Sequence, residues 1–125
     1  MASKIITLER YEQLSYSMNK VVDIIIDIYK KYPDHKIELS PSQYAGIFCV
    51  TGCQLKFDGT PYAISIQTDP LICGPALCET ALLKDSKVIY GEFGYGDVIR
   101  HDTEKEFSEH LDKLFRNIKT PEPID

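Results

Sequence analysis

A chain of 125 residues, 43% hydrophobic and 26% charged, suits one globular domain; at that length about two thirds of the unfolded surface can be buried without help from a metal or a disulfide. The formal charge of −5 is unevenly placed: residues 79–112 hold nine acids against four bases, while the rest nearly balances. An acidic surface repels nucleic-acid phosphates and anionic lipids, so neither is expected as a direct partner, and a basic protein surface is the partner the charge suits.

The opening Met1-Ala2-Ser3-Lys4 carries one base and no apolar run of signal-peptide length, and no stretch is long enough to span a bilayer. A cytoplasmic protein is expected, in a cell or an infected host cell, with its four cysteines as free thiols. Tyr11, Leu14, Met18, Val21, Ile25, Ile28 and Tyr32 then recur at steps of three and four, the period of one helical face. They predict a helix from Thr7 to Tyr32, capped by Thr7 and ended by Pro33. Val22, Ile26 and Tyr29 add a second apolar row, and Ile24 a third direction. Such a helix needs cover on more than one side, and a second copy of the chain would supply it as a homodimer seam.

Residues 34–44 read as a polar connector, with a short edge strand at Lys36–Leu39 and a turn at Ser40-Pro41-Ser42. Ile47, Cys49, Thr51, Cys53, Leu55 and Phe57 alternate with less apolar neighbours, as do Tyr62, Ile64 and Ile66. Asp58-Gly59 between them suits a two-residue type I′ turn. That loop sets Leu55 against Tyr62 and Cys53 against Ile64, with both apolar rows on one face.

Gly74-Pro75 marks a loop over 70–76. Residues 77–92 favour a second hairpin through Asp85-Ser86. The alternative is a short helix at 75–84, giving an element order that resembles roadblock, profilin-like and secretion-chaperone layouts. Gly91 to Gly96 is a loop and Val98–Arg100 a brief extended piece. Thr103-x-x-Glu106 is a capping box that opens a helix with Phe107, Leu111, Leu114 and Ile118 on one stripe. Residues 120–125, with two prolines, read as a disordered tail to a single domain over 1–119. The expected fold is α+β: an antiparallel sheet of about four to five strands with the N-terminal and C-terminal helices packed on one face.

Few residues carry recognisable chemistry. Cys49, Cys53, Cys73 and Cys78 loosely match a four-thiolate zinc pattern. Cys49 and Cys53, however, lie about 13 Å apart on one strand face. A zinc tetrahedron needs its sulfurs within about 4 Å of one another. No metal or other cofactor is therefore expected. Cys73 and Cys78 sit in or beside a loop and are the candidates for an exposed thiol. Paired with His101 they define one functional reading, a small thiol-dependent enzyme or ligand-binding domain. His110 flanks the apolar stripe of the last helix.

Gly91 to Gly96 is a poor phosphate cradle, since Glu92 and Asp97 flank it and no helix opens at its end. It is a better recognition loop. Glu92, Phe93, Tyr95, Asp97 and Asp102 combine aromatics held on glycines with negative charge, a composition suited to partner binding. The leading reading assigns no catalytic residue: a small acidic interaction domain, an inhibitor or antagonist of phage-accessory, immunity or chaperone type. It would bind a basic protein, for example a nucleic-acid enzyme whose phosphate groove it occupies.

Overall fold

Two alternating segments form the centre of the sheet, and both terminal helices seal the same face of it. The computed structural model describes residues 14–45 and 49–119. Its elements are α1 (Tyr16–Lys31), β1 (Ile37–Ala45), β2 (Cys49–Phe57), β3 (Tyr62–Gln67), α2 (Pro70–Cys73), β4 (Cys78–Lys84), β5 (Lys87–Val88), β6 (Ile99–His101) and α3 (Glu104–Asn117). The strands make one antiparallel sheet in the order β1-β2-β3-β4-β5, and β6 also pairs with β4. β5 and β6 thus share the outer edge of β4, against Leu83–Lys84 and Cys78–Thr80 respectively. This is the α+β arrangement anticipated from the sequence, with one strand more than expected.

Strand alternation decides which side is sealed. Leu39, Cys53, Leu55, Phe57, Ile64, Ile66 and Leu82 are buried with Met18, Val21 and Ile25 of α1 and Phe107, Leu111 and Leu114 of α3. Each fully buried large apolar side chain contributes about 1.5–3 kcal/mol. Glu38, Ser40, Gln54 and Lys56 line the opposite, open face.

The first helix begins later than its period suggests. Ser15 is the N-cap, its hydroxyl accepting from the Met18 amide at 3.0 Å. Leu14 forms a parallel bridge to Val50, and the Ser15 amide donates to the Val50 carbonyl at 3.0 Å. Backbone committed to the sheet cannot also close helical hydrogen bonds, so the helix starts at Tyr16. Thr7 and Tyr11 lie outside the described residues. Val22, Ile24, Tyr29 and Tyr32 pack against the core, and α3 lies alongside α1. Cover for these side chains is therefore intramolecular, whereas Ile26 of the second row stays half-exposed and is not packed on the core.

Three further expectations are corrected. The 34–44 segment is mostly strand: β1 runs through Ser40 and Pro41, with register shifts between Pro41 and Tyr44. A proline and a bulge are tolerated there because β1 is an edge strand. The first hairpin closes with a loop two residues longer than a type I′ turn, which shifts the pairing by two. Leu55 faces Ile64 and Cys53 faces Ile66. Asp58 is not at positive φ, whereas Gly59 is at 80°. Thr60 closes the turn, its amide and hydroxyl both donating to the Phe57 carbonyl and its hydroxyl accepting from the Tyr62 amide. Pro61 has no N–H to offer a ladder, which pushes the first pair outward. A shift of two keeps both apolar rows on the helix side. Lastly, 70–76 contains the short helix α2, with the Asp69 carboxylate accepting from the Leu71 amide and Pro70 in the first turn.

The hairpin through Asp85-Ser86 is present, and 75–84 is not a helix. Both turn residues sit at positive φ, 52° and 67°, which is the two-residue primed geometry that matches strand twist. At α3, Thr103 accepts from the Glu106 amide, while the Glu106 carboxylate accepts from Asp102 rather than from the cap itself. Residues 120–125 and Ile47 lie outside the described residues. Among the described residues no helix is long and apolar enough to cross a membrane.

Candidate functional site

The residues between β5 and β6 carry the predicted recognition set, and their geometry divides it. Glu92-Phe93-Gly94-Tyr95 is a tight turn, with Phe93 at φ 50° and Gly94 at 84° and the Tyr95 amide donating to the Glu92 carbonyl at 2.9 Å. A β-carbon at Gly94 would meet nothing within 4 Å, so its backbone angle, not crowding, calls for glycine. An aromatic residue at positive φ is strained by about 1 kcal/mol or more. The Phe93 ring is held edge-on against Tyr62, with centroids 5.0 Å apart.

Of the predicted contact residues, Tyr95 is the one taken out of the surface. It is 1% exposed and its ring belongs to the core. Glu92 is half-buried, accepting from the Tyr62 hydroxyl at 2.6 Å and from Lys84 at 3.4 Å. The Tyr62 hydrogen bond, then Lys84, holds its carboxyl below the ordinary value. Phe93 is half-buried, whereas Asp97 and Asp102 are exposed. The Asp97 carboxylate accepts from the Val98 amide at 2.8 Å. The structure thus spreads the five along an edge and does not converge them on one point.

The acidity of this half of the chain is partly neutralised. Glu79 pairs with Arg100, Glu104 with Lys20, and Asp112 with Arg116. Asp85, Asp97 and Asp102 remain exposed. Three large apolar side chains of the same stretch of sequence are also exposed: Val88, Tyr90 and Val98, at 49%, 60% and 45%.

A second constellation lies inside. Thr80 Oγ1 is 2.7 Å from the Tyr95 hydroxyl and 2.9 Å from His101 Nε2, and the same Tyr95 hydroxyl is 2.6 Å from His110 Nε2. β4, β6, the turn and α3 each supply one member. The two imidazole centroids are 4.8 Å apart. Three contacts share two hydroxyl protons, so a filled chain needs one proton from a ring nitrogen. One histidine therefore donates from Nε2 while the other accepts there, and the two neutral rings hold opposite tautomers. Burial pushes both rings down to about 4, with Asp102 opposing the shift at His101, and with His101 and then Lys113 adding to it at His110. Desolvation pushes the Tyr95 phenol up.

The thiols give the enzyme reading no support. Cys73 and Cys78 are buried, contrary to the expectation of an exposed thiol. Cys78 does face His101 across the β4–β6 ladder. Desolvation, however, raises the Cys78 thiol, raises Cys73, and pushes Cys53 up to about 12. A raised thiol beside a lowered imidazole is the reverse of a thiolate–imidazolium pair. Cys73 Sγ is turned to the Asp69 and Ala76 carbonyls at 3.4 and 3.6 Å. Among the described residues no group of three or more His, Cys, Asp or Glu side chains is placed to hold a metal ion.

Sequence reasoning missed the Thr80–Tyr95–His110 link. Its one available signal was the Phe93-Gly94 pair, which fits a turn tight enough to fold Tyr95 back inward. Comparison with known proteins finds no matching family model, curated sequence or solved structure.

Proposed function

We infer that this chain is a small protein-interaction domain that docks through the β5–β6 edge onto a basic partner surface, in the manner of an inhibitor or antagonist. The observation behind this reading is the clustering of exposed Val88, Tyr90 and Val98 within eleven residues, among exposed Asp85, Asp97 and Asp102. Apolar anchors beside these carboxylates, with Lys87 and Arg100 exposed among them, give an interface both affinity and steering. Tyr90 takes the anchoring place that the sequence assigned to Tyr95. In this reading Phe93, Asp97 and Asp102 lie at the rim, and Glu92 holds the turn through Tyr62.

The test is retention of partners on the immobilised chain at low and high salt, beside a Tyr90→Ser/Val98→Ser variant and an Asp97→Asn/Asp102→Asn variant. A basic protein held at low salt by the wild type, released by salt and lost from both variants, with hydrogen-exchange protection over residues 85–102, is the expected result. Retention of no basic protein, or retention indifferent to both variants, would overturn the reading.

A further inference from the structure

A cleft of about 400 Å³ opens between the Phe93-Gly94 turn and α3. Phe93, Ile99 and Leu114 give it apolar walls, and His110, Lys113 and Asn117 give it polar ones. In a chain of net charge −5 its lining has one cation and no carboxylate. Two other clefts of similar size mix signs: Lys31, Glu109, Asp112 and Arg116 line one, which Lys113 also borders, and Glu38, Asp85 and Lys56 line the other. The volume lies at the small end of the range for small-molecule sites, and the cleft is half open, with polar and apolar walls in similar measure.

We propose that this cleft binds a small carboxylate carrying an apolar group. The apolar group lies between Phe93 and Leu114, the carboxylate meets the Lys113 ammonium, and Asn117 donates from its amide. His110 adds a directional contact. Its Nε2 is committed to Tyr95 at 2.6 Å, so Nδ1 is the ring nitrogen left for the cleft. A carboxylate there needs a donor, which places the His110 hydrogen on Nδ1. The buried chain then runs one way only: His101 donates to Thr80, Thr80 to Tyr95, and Tyr95 to His110. An occupied cleft thereby fixes which tautomer His101 adopts, although His101 never meets the ligand. This site borders the β5–β6 edge and shares Phe93 and Ile99 with it, but its argument does not depend on the docking reading.

The experiment titrates the full chain with benzoate, benzyl alcohol and benzylammonium while recording amide and imidazole ¹⁵N spectra. Benzoate is expected to give saturable shifts at Ile99, His110 and Asn117, to bind more tightly than the alcohol, and to fix His110 as the Nδ1–H tautomer. Lys113→Met is expected to weaken benzoate about tenfold, the scale of one lost charge-assisted contact, and to leave benzyl alcohol unchanged. Lys113→Glu should reverse the preference toward benzylammonium. Lys113 is exposed, so both variants keep the fold. The proposal is overturned by absence of saturable benzoate shifts at these residues, by benzoate binding that survives Lys113→Met undiminished, or by His110 carrying its hydrogen on Nε2 when benzoate is bound.

Discussion

His35 donates from Nε2 to the Phe115 carbonyl at 2.6 Å, pinning the connection between α1 and β1 to the last turn of α3. That carbonyl is one of the four that a helix end leaves unpaired. The ring also packs edge-on against Phe57 and Phe115, at centroid distances of 5.8 and 5.1 Å. His35→Ala removes the donor and the ring together, and should cost about 2–4 kcal/mol in denaturant unfolding. His35→Gln, whose amide can still donate, should recover part of the loss. A cost under about 1 kcal/mol for the alanine variant would show that the contact contributes little.

Tyr95→Phe keeps the ring and deletes the hydroxyl that bridges Thr80 and His110. Two buried polar groups then each lose a partner, and a loss of about 1–3 kcal/mol follows. Thr80→Val breaks the same chain one link earlier. The two substitutions should therefore be strongly non-additive in a double-mutant cycle. Additive losses would mean that the four groups do not act as a unit.

The buried histidines set an acid limit on stability. Both are held near 4 when folded, against about 6.5 in the unfolded chain. Between those values the unfolded chain binds more protons, so stability is full above about pH 6.5 and falls as pH drops toward 4, with each ring adding up to about 1.4 kcal/mol per pH unit. Their proximity makes the titration a property of the pair. The lowered carboxyls of Glu92 and Asp112 add a separate loss at still lower pH. Urea midpoints measured at about pH 7, 6 and 5 should decline steadily, and His110→Gln should flatten that slope. A flat wild-type profile would contradict the burial of neutral rings.

Thiol titration separates the cysteines. Cys49 is half-exposed, and Cys53, Cys73 and Cys78 are buried. One thiol should react with a neutral-pH disulfide reagent in the native protein, and all four in denaturant. A native thiol reacting faster than a free cysteine would revive the enzyme reading.

The sheet and both helices were legible because burial imposes a period on them. Alternation in β2 and β3 and the Thr103-x-x-Glu106 cap are local signals that nothing distant overrode. β1 was hidden by its position: an edge strand open on one face shows polar side chains at Glu38 and Ser40. Leu14 fits the helical period, yet its backbone is taken by Val50, a partner thirty-six residues away. The first hairpin slipped by two because Pro61 withholds a donor, a constraint that alternation does not register. The interior polar chain was least legible. Periodicity says that Thr80, Tyr95, His101 and His110 can face inward, but not that their tips meet. Of the two tyrosines in the proposed recognition segment the sequence reading chose Tyr95, whereas a tight turn at Phe93-Gly94 buries that ring and leaves Tyr90 exposed.

Among the described residues β1 has a neighbour on one side only. Its outer rim holds Pro41 and the displaced pairing up to Tyr44. A stray extended peptide arriving there finds no regular ladder to lengthen. The protein therefore resists templating copies of itself into fibres when crowded, and Pro41→Val, by evening out that rim, would shorten its life in concentrated solution.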